Sequence, residues 1–312
     1  MGSVQDSYRI PDVLRPIEML DLVEVGGSTM AAAKALAVSQ PTVSRHTRRL
    51  ILDLGLRPPD GHEPWSLRHG SSPCLQLMRQ AAQLHRLEAG LWRLGACPWI
   101  GTALQTIHTK QELPVRFRHP SAWLALLRAH TVDLAVVSGL DLDLVLPDPL
   151  PSTEGIQAWE ECVLLPIGQT SLGLLCPPTQ TSLPARWGVV AVPAENMAPG
   201  IASRVRQDKW RCLYAPKNHQ EPATWAGWLQ GVEVAVAASP TWARELKHHL
   251  TDWQWQPWPK PLQQTLWLLA LRTVWSDYEQ LHALSERIRH TLESCDSESE
   301  SALPKTRGQL NL

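Results

Sequence analysis

Residues 28 to 50 constrain the architecture of this chain more than any other stretch. Ser28 and Thr29 offer an N-cap for an alanine-rich run, Met30-Ala-Ala-Ala-Lys-Ala-Leu36, because a side-chain oxygen there satisfies an amide left open at a helix start. Ala37-Val38 makes a short turn. Ser39 then caps a second run with Pro41 in its first turn, where a missing N–H costs nothing. In that run Val43 and Leu50 lie seven residues apart and face inward, leaving Gln40, Thr42, Ser44, Arg45, Arg48 and Arg49 to point mainly outward. Upstream, Pro16 opens a stretch in which Ile17, Leu20 and Val23/Val25 approximate helical spacing, and Gly26-Gly27 ends it. Two small helices joined by a tight turn, the second rich in Gln, Ser, Thr and Arg, describe a helix-turn-helix. The alanines of the first helix allow the close crossing this motif needs.

The charge around this motif is local. The whole chain balances 29 Lys+Arg against 30 Asp+Glu. Between Thr29 and Pro58, however, Lys34, Arg45, Arg48, Arg49 and Arg57 face only Asp53. A solvated helix face can be basic by chance, but on this motif the excess matches what a phosphate backbone attracts. Gln reads adenine edges, and Arg reads guanine or clamps phosphate.

Gly27-Ser28-Thr29-Met30-Ala31-Ala32-Ala33-Lys34-Ala35-Leu36, followed by Val38-Ser39-Gln40-Pro41-Thr42-Val43-Ser44-Arg45 and Leu50, resembles the signature of LysR-type transcriptional regulators. The resemblance implies that the helix beginning at Ser39-Gln40-Pro41 enters the major groove. Gln40, Thr42, Ser44 and Arg45 would face DNA, with Ser28, Thr29 and Arg48 or Arg49 near its backbone. It further implies a cytoplasmic homodimer or homotetramer on an inverted-repeat promoter site, answering a small-molecule effector, with RNA polymerase as a further partner. Departures are visible. Thr47 stands at an inward position usually filled by Ile, and Ile51 follows Leu50 where Glu is usual. After Leu56, Arg57-Pro58-Pro59-Asp60-Gly61-His62-Glu63-Pro64 replaces the start of the usual wing. Its three prolines work against a regular hairpin, leaving Arg57 and Arg68 as candidates for the minor groove.

Between Pro73 and Trp92, Leu77, Ala81, Leu84 and Leu91 recur at helical spacing, with Leu75, Met78 and Leu87 widening the stripe. The resemblance makes this the linker helix that dimerises the DNA-binding modules; a helix packed only within its own chain is the other reading. Beyond Trp92 the pattern alternates. Strands are expected at 92–96, 115–117, 133–138, 162–165, 172–176, 189–192, 212–214, 232–237 and 266–271, and helices at 100–108, 122–128, 198–207, 241–249 and 278–292. That alternation argues an α/β domain or two.

The expected architecture is therefore an N-terminal all-α (winged) helix-turn-helix domain over 1–64 and a linker helix over 65–91. An α/β two-lobed, periplasmic-binding-protein-like effector domain follows over 92–293, with lobe I about 92–166 and 266–293 and lobe II about 167–265. A disordered tail is expected over 294–312. Open α/β sheets bind ligands at the carboxyl ends of their strands, beside helix N-termini. This places Cys97, Trp99 and Thr102 at one mouth of the effector cleft, Ser138 and Gly139 at a second, and Ser203 and Ser239 on the other lobe. A thiol such as Cys97 near a helix N-terminus can have a lowered pKa and sense redox state.

Other classes find little support. No H-E-x-x-H, G-x-S-x-G, G-x-G-x-x-G or G-K-[ST] occurs, and the 12 histidines are scattered, so neither enzyme chemistry nor a cofactor is expected. Asp141 and Asp143 look like a carboxylate pair but read as surface residues. The six cysteines contain no pair spaced for zinc or thioredoxin-like chemistry and read as reduced thiols. No apolar run approaches the roughly 18 residues of a membrane span, and the first ten residues lack the basic head and apolar stretch of a secretory signal. The 15 tryptophans against one phenylalanine read as core fillers. A rival reading is a small-molecule-binding protein of the same ancestry with degraded DNA recognition.

Overall fold

The computed structural model describes residues 10–59, 65–100, 104, 113–146, 157–178, 188–232 and 234–301, apart from the side chains of 157–158 and 293–301. The N-terminal unit consists of α1 (Arg15–Gly26), α2 (Thr29–Leu36) and α3 (Gln40–Asp53). Its helix starts follow the local chemistry. Ser28 Oγ accepts from the amide of Ala31 at 3.1 Å, and Ser39 Oγ accepts from that of Thr42 at 3.3 Å. Gly27 at φ 68° and Ala37 at φ 52° take the left-handed conformation that ends α1 and α2. Met19, Leu22, Val23, Ala32, Ala33 and Val43 close one small core, and Ile17, Leu20, Leu50, Leu56 and Leu75 a second. Thr47 is buried and its hydroxyl has no hydrogen-bond partner among the described residues; such a group costs about 1–3 kcal/mol. Residues 60–64 of the expected wing lie outside the described residues, and 57–59 and 65–72 form no strand.

The next helix, α4 (Pro73–Glu88), starts on Ser72, whose Oγ accepts from the amide of Leu75 at 3.2 Å. It turns Leu75, Ala82 and Leu87 inward together with Arg79, Gln83 and Arg86. Leu77 and Leu84 are left 66% and 50% exposed, and Ala81 between them is exposed too. Leu91, expected on the same stripe, lies beyond the helix and is buried.

The arginines of α4 join the N-terminal unit to the rest of the molecule. Arg79 Nε donates to Asp21 Oδ1 of α1 at 2.6 Å, and Arg93 Nη1 donates to Asp21 Oδ2 at 3.1 Å. Asp133 is engaged in the same way. Its Oδ1 accepts from Gln83 Nε2 at 2.8 Å and Arg86 Nη2 at 3.1 Å, and its Oδ2 from the amide of Arg93 at 2.7 Å. All of these side chains are buried, which makes partner geometry decisive for their cost.

The remainder is built on a mixed sheet. Its elements are β1 (Leu94–Ala96), α5 (Pro120–Arg128), β2 (Leu134–Ser138), α6 (Gly139–Leu142), β3 (Gln157–Trp159), β4 (Cys162–Cys176), β5 (Val189–Val192), α7 (Pro199–Gln207), β6 (Arg211–Tyr214), α8 (Pro222–Leu229), β7 (Ala235–Ala238), α9 (Pro240–Lys247), β8 (Gln254–Leu271), α10 (Arg272–Asp277) and α11 (Gln280–Ser301). The strands run in the order β1-β2-β8-β4-β7-β5-β6, with β3 on β4. Pairing is parallel for β1–β2, β5–β6 and β5–β7, and antiparallel for the pairs involving β4 or β8. The long antiparallel pair β4–β8 carries the sheet from one half to the other. Its register breaks between Leu172 and Gly173, opposite Trp258-Pro-Lys-Pro261. A Cβ on Gly173 would overlap Gln256 O and the ring of Trp255.

Several expectations change. The separate strands expected at 162–165 and 172–176 are one, and that expected at 266–271 extends back to Gln254. The lobe boundaries expected at 166/167 and 265/266 therefore fall inside strands. Residues 115–117 are not a strand, although the Arg116 amide still bonds Ala96 O at 3.2 Å. α8 was not expected. The last helix continues to Ser301, past the end expected for it at 292. Most of the helix expected at 100–108 lies outside the described residues. Trp123, Trp225, Trp258 and Trp267 fill the core, in line with the reading of the tryptophans. Cys74, Cys97, Cys162, Cys176 and Cys212 are free thiols.

Candidate nucleic-acid interface and inter-lobe site

The residues expected to meet DNA fall on one side of the N-terminal unit. Because Val43, Thr47 and Leu50 turn inward from α3, the opposite face is left to solvent. There Pro41, Arg45, Arg48 and Arg49 are exposed, with Ser44 half-buried beside them. A shallow groove of about 580 Å³ runs along this face, from Gln40 and Pro41 to Leu52 and Asp53. Gln40 Nε2 donates to Thr29 Oγ1 at 2.9 Å, so the starts of α2 and α3 are tied together. Ser39 and Thr42 share a hydroxyl hydrogen bond of 2.8 Å. Among the described residues the one acid on this face, Asp53, sits 3.5 Å from Arg49 in an exposed pair, which is worth little in water. The face is therefore a helix surface with two unopposed cations, Arg45 and Arg48, among the described residues.

The effector candidates meet a different environment. Cys97, Trp99, Ser138, Gly139 and Ser239 are all buried, Ser203 is half-buried, and Thr102 lies outside the described residues. Ser239 Oγ donates to Trp99 O at 2.6 Å and accepts from the amide of Trp242 at 3.1 Å, capping α9. Ser138 Oγ donates to Gln264 Oε1. A Cβ on Gly139 would stand 2.9 Å from Thr265 O. Ser239 and Trp99 are thereby brought together, whereas Ser138 and Gly139 pack against β8. The expectation of a reactive Cys97 is overturned. Burial, aided by Asp141 nearby, pushes its thiol up to about 12, so it stays protonated at neutral pH.

Sequence reasoning missed what fills this place. Phe117, the one phenylalanine of the chain, is buried edge-on to Trp99 at 4.9 Å and Trp242 at 5.5 Å, and tilted to Trp225 at 6.1 Å. Gln220 Oε1 fixes it by accepting from its amide at 2.8 Å. Trp99 belongs to the first half of the sheet domain and the other two tryptophans to the second. The strand expected at 115–117 did not announce this position; the rarity of Phe was the only available signal.

Asp141 also departs from expectation. It is buried, and its Oδ1 accepts from the amide of Gly200 at 2.7 Å, joining α6 to the start of α7. Burial pushes its carboxyl up to about 7, against the lowering effect of that hydrogen bond. A carboxyl that keeps its proton longer when folded stabilises the fold below its ordinary value, and this contribution is lost as pH rises through the folded value. Raising the pH from about 5 to about 8 is therefore expected to weaken the wild type more than Asp141→Asn, which keeps the acceptor without the charge. Urea midpoints across that range check this; parallel curves would remove Asp141 as the cause.

The class defined by these features is a chain with a three-helix unit and an exposed basic helix, joined through a connecting helix to a mixed-sheet domain crossed by two long strands. No protein-family model and no curated protein sequence matches it. Among solved structures it is similar to full-length OxyR from Pseudomonas aeruginosa, at 13% identity over 91% of this chain and 96% of that one, TM-score 0.46. A hydrogen-peroxide-bound OxyR mutant from Corynebacterium glutamicum matches at 12% identity over 98% and 99%, TM-score 0.49. Full-length CbnR in complex with its target DNA matches at 14% over 89% and 99%, TM-score 0.43.

Proposed function

We propose that this chain is a sequence-specific, DNA-binding transcriptional regulator of the LysR type. The observation that carries the reading is α3, a Ser39-capped helix whose free face presents Pro41, Arg45, Arg48 and Arg49. In the major groove, Arg45 would read a base edge, with Gln40, Thr42 and Ser44 beside it, while Ser28, Thr29, Arg48 and Arg49 hold the backbone. The exposed Leu77, Ala81 and Leu84 of α4 would pack on a second copy and set two α3 helices in successive grooves of an inverted repeat. An effector entering beside Cys97, Trp99, Ser138, Gly139, Ser203 and Ser239 would have to displace Phe117, so its binding would be coupled to a repacking of the two halves of the sheet domain.

Selection of bound sequences from random duplex DNA tests this. Enrichment of an interrupted inverted repeat is expected. On the selected site, Arg45→Ala should cost about 1–3 kcal/mol if Arg45 reads a base. Unchanged affinity would remove Arg45 from the interface. No enrichment from folded protein, with and without a metabolite extract, would overturn the regulator reading.

A further inference from the structure

Three arginines from outside the N-terminal helices converge on the end of α1, just before the Ser28 cap of α2. Arg68 Nη1 donates to Gly27 O at 3.1 Å. Arg118 Nη2 donates to Glu24 O at 2.8 Å and to Val25 O, and Arg116 Nη1 donates to Gly26 O. The Arg116 guanidinium lies so close over Gly27 that its atoms would stand 2.5–3.1 Å from a Cβ there. Arg116 and Arg118 come from the segment that leads into α5, so the sheet domain delivers them.

The number of cations exceeds what this helix end requires. The carbonyl end of a helix carries about half a negative charge, and the nearby Glu24 carboxylate adds one. Among the described residues, three arginines stand against that sum. The Glu24 carboxylate is moreover already occupied, accepting from the amides of Arg68 and His69 and from His69 Nδ1 at 2.7–3.0 Å. Arg116 makes no ion pair with a carboxylate among the described residues and is only half-buried. Burial, with the charge of Arg116 adding to it and Glu24 opposing, holds the neighbouring Arg118 guanidinium down at about 10. The cluster also lies next to the starts of α2 and α3. Gly27 precedes Ser28 and Thr29, and the Gln40–Thr29 hydrogen bond places the start of α2 beside the start of α3.

We propose that Arg116, delivered by the sheet domain, contacts a DNA phosphate beside Ser28 and Thr29 and so completes the interface of the N-terminal helices. This deepens the regulator reading and rests on it. Any displacement of the segment that joins Arg116 to Phe117 would then be felt directly at the DNA backbone.

The test uses the full chain and a mixed-sequence duplex, with affinity measured from about 50 to 200 mM salt. One phosphate contact contributes about 0.9 to the log–log salt slope. Arg116→Gln should make the slope shallower by about that amount per protomer, reducing the fall in affinity over this range by about 3.5-fold for each protomer. Arg116→Lys, which keeps the charge, should restore the slope, and Arg211→Gln, exposed at the far edge strand β6, should leave it unchanged. Melting curves should show both Arg116 variants folded. If Arg48→Gln makes the slope shallower while Arg116→Gln does not, the regulator reading stands and this inference is overturned. If Lys fails to rescue the slope, Arg116 serves only the α1 carbonyls and the inference is again overturned. Absence of any duplex affinity in the wild type overturns both.

Discussion

Asp21→Ala is expected to cost about 3–5 kcal/mol of stability, the range for breaking a buried ion pair from one side. Asp21 is fully buried and is shared by Arg79 from α4 and Arg93 at the entry to β1. Removing it leaves two buried guanidinium groups with Glu18, 3.6 Å from Arg93, as the nearest carboxylate. The penalty is the stranded charge, much more than the lost attraction. Burial already holds the Arg93 guanidinium below its usual range, with Arg86 adding to the effect and Asp21 opposing it. The loss should be concentrated where the N-terminal unit meets the sheet domain. Hydrogen exchange should accelerate in α1 and α4 before it does in β4 and β8. A urea midpoint within error of the wild type would show that water reaches this network and that its burial has little energetic weight.

Phe117→Ala should cost about 3–5 kcal/mol as well, by a different route: a cavity between surfaces that cannot collapse. Trp99, Trp225 and Trp242 are each held by neighbours other than Phe117. Trp99 O accepts from Ser239, Trp225 Nε1 donates to His219 O at 3.0 Å, and the Trp242 amide bonds Ser239 Oγ. The walls should therefore stay open once the plug is gone. Empty apolar cavities of this kind take up small apolar solutes, so toluene or indole should raise the melting temperature of Phe117→Ala and leave that of the wild type unchanged. No rescue, with a cost near 1 kcal/mol, would mean that the two halves of the sheet domain close over the gap. Rescue would show that the place occupied by Phe117 can be reached from solution, the property an effector site needs.

The legibility of this chain follows the sequence distance over which each feature is decided. Ser28, Ser39 and the positive-φ turns at Gly27 and Ala37 act within about four residues, and the starts of α2 and α3 and the end of α2 were readable to within a residue. The inward Val43 and Leu50 followed from helical periodicity alone. Strands written as short apolar runs, such as Val189–Val192 and Leu134–Ser138, were readable for the same reason. The long strands were not. Pro166, Gly168 and Gly173 interrupt the pattern of β4, and Pro257, Pro259 and Pro261 that of β8. Each strand survives because the other supplies its ladder, with the register shifting where proline or glycine intervenes.

Caps, turns and apolar spacing are local chemistry, and they suffice to specify the three-helix unit, the direction in which its basic helix faces, and the alternation that builds the sheet. How these parts are used depends on contacts made across the fold. Asp21 meets Arg79 and Arg93 from 58 and 72 positions away, Phe117 meets tryptophans from both halves of the sheet, and Arg116 reaches back 90 positions to the end of α1. A buried charge or a filled cleft depends on partners that arrive from elsewhere in the chain, and no local pattern records which of them will arrive.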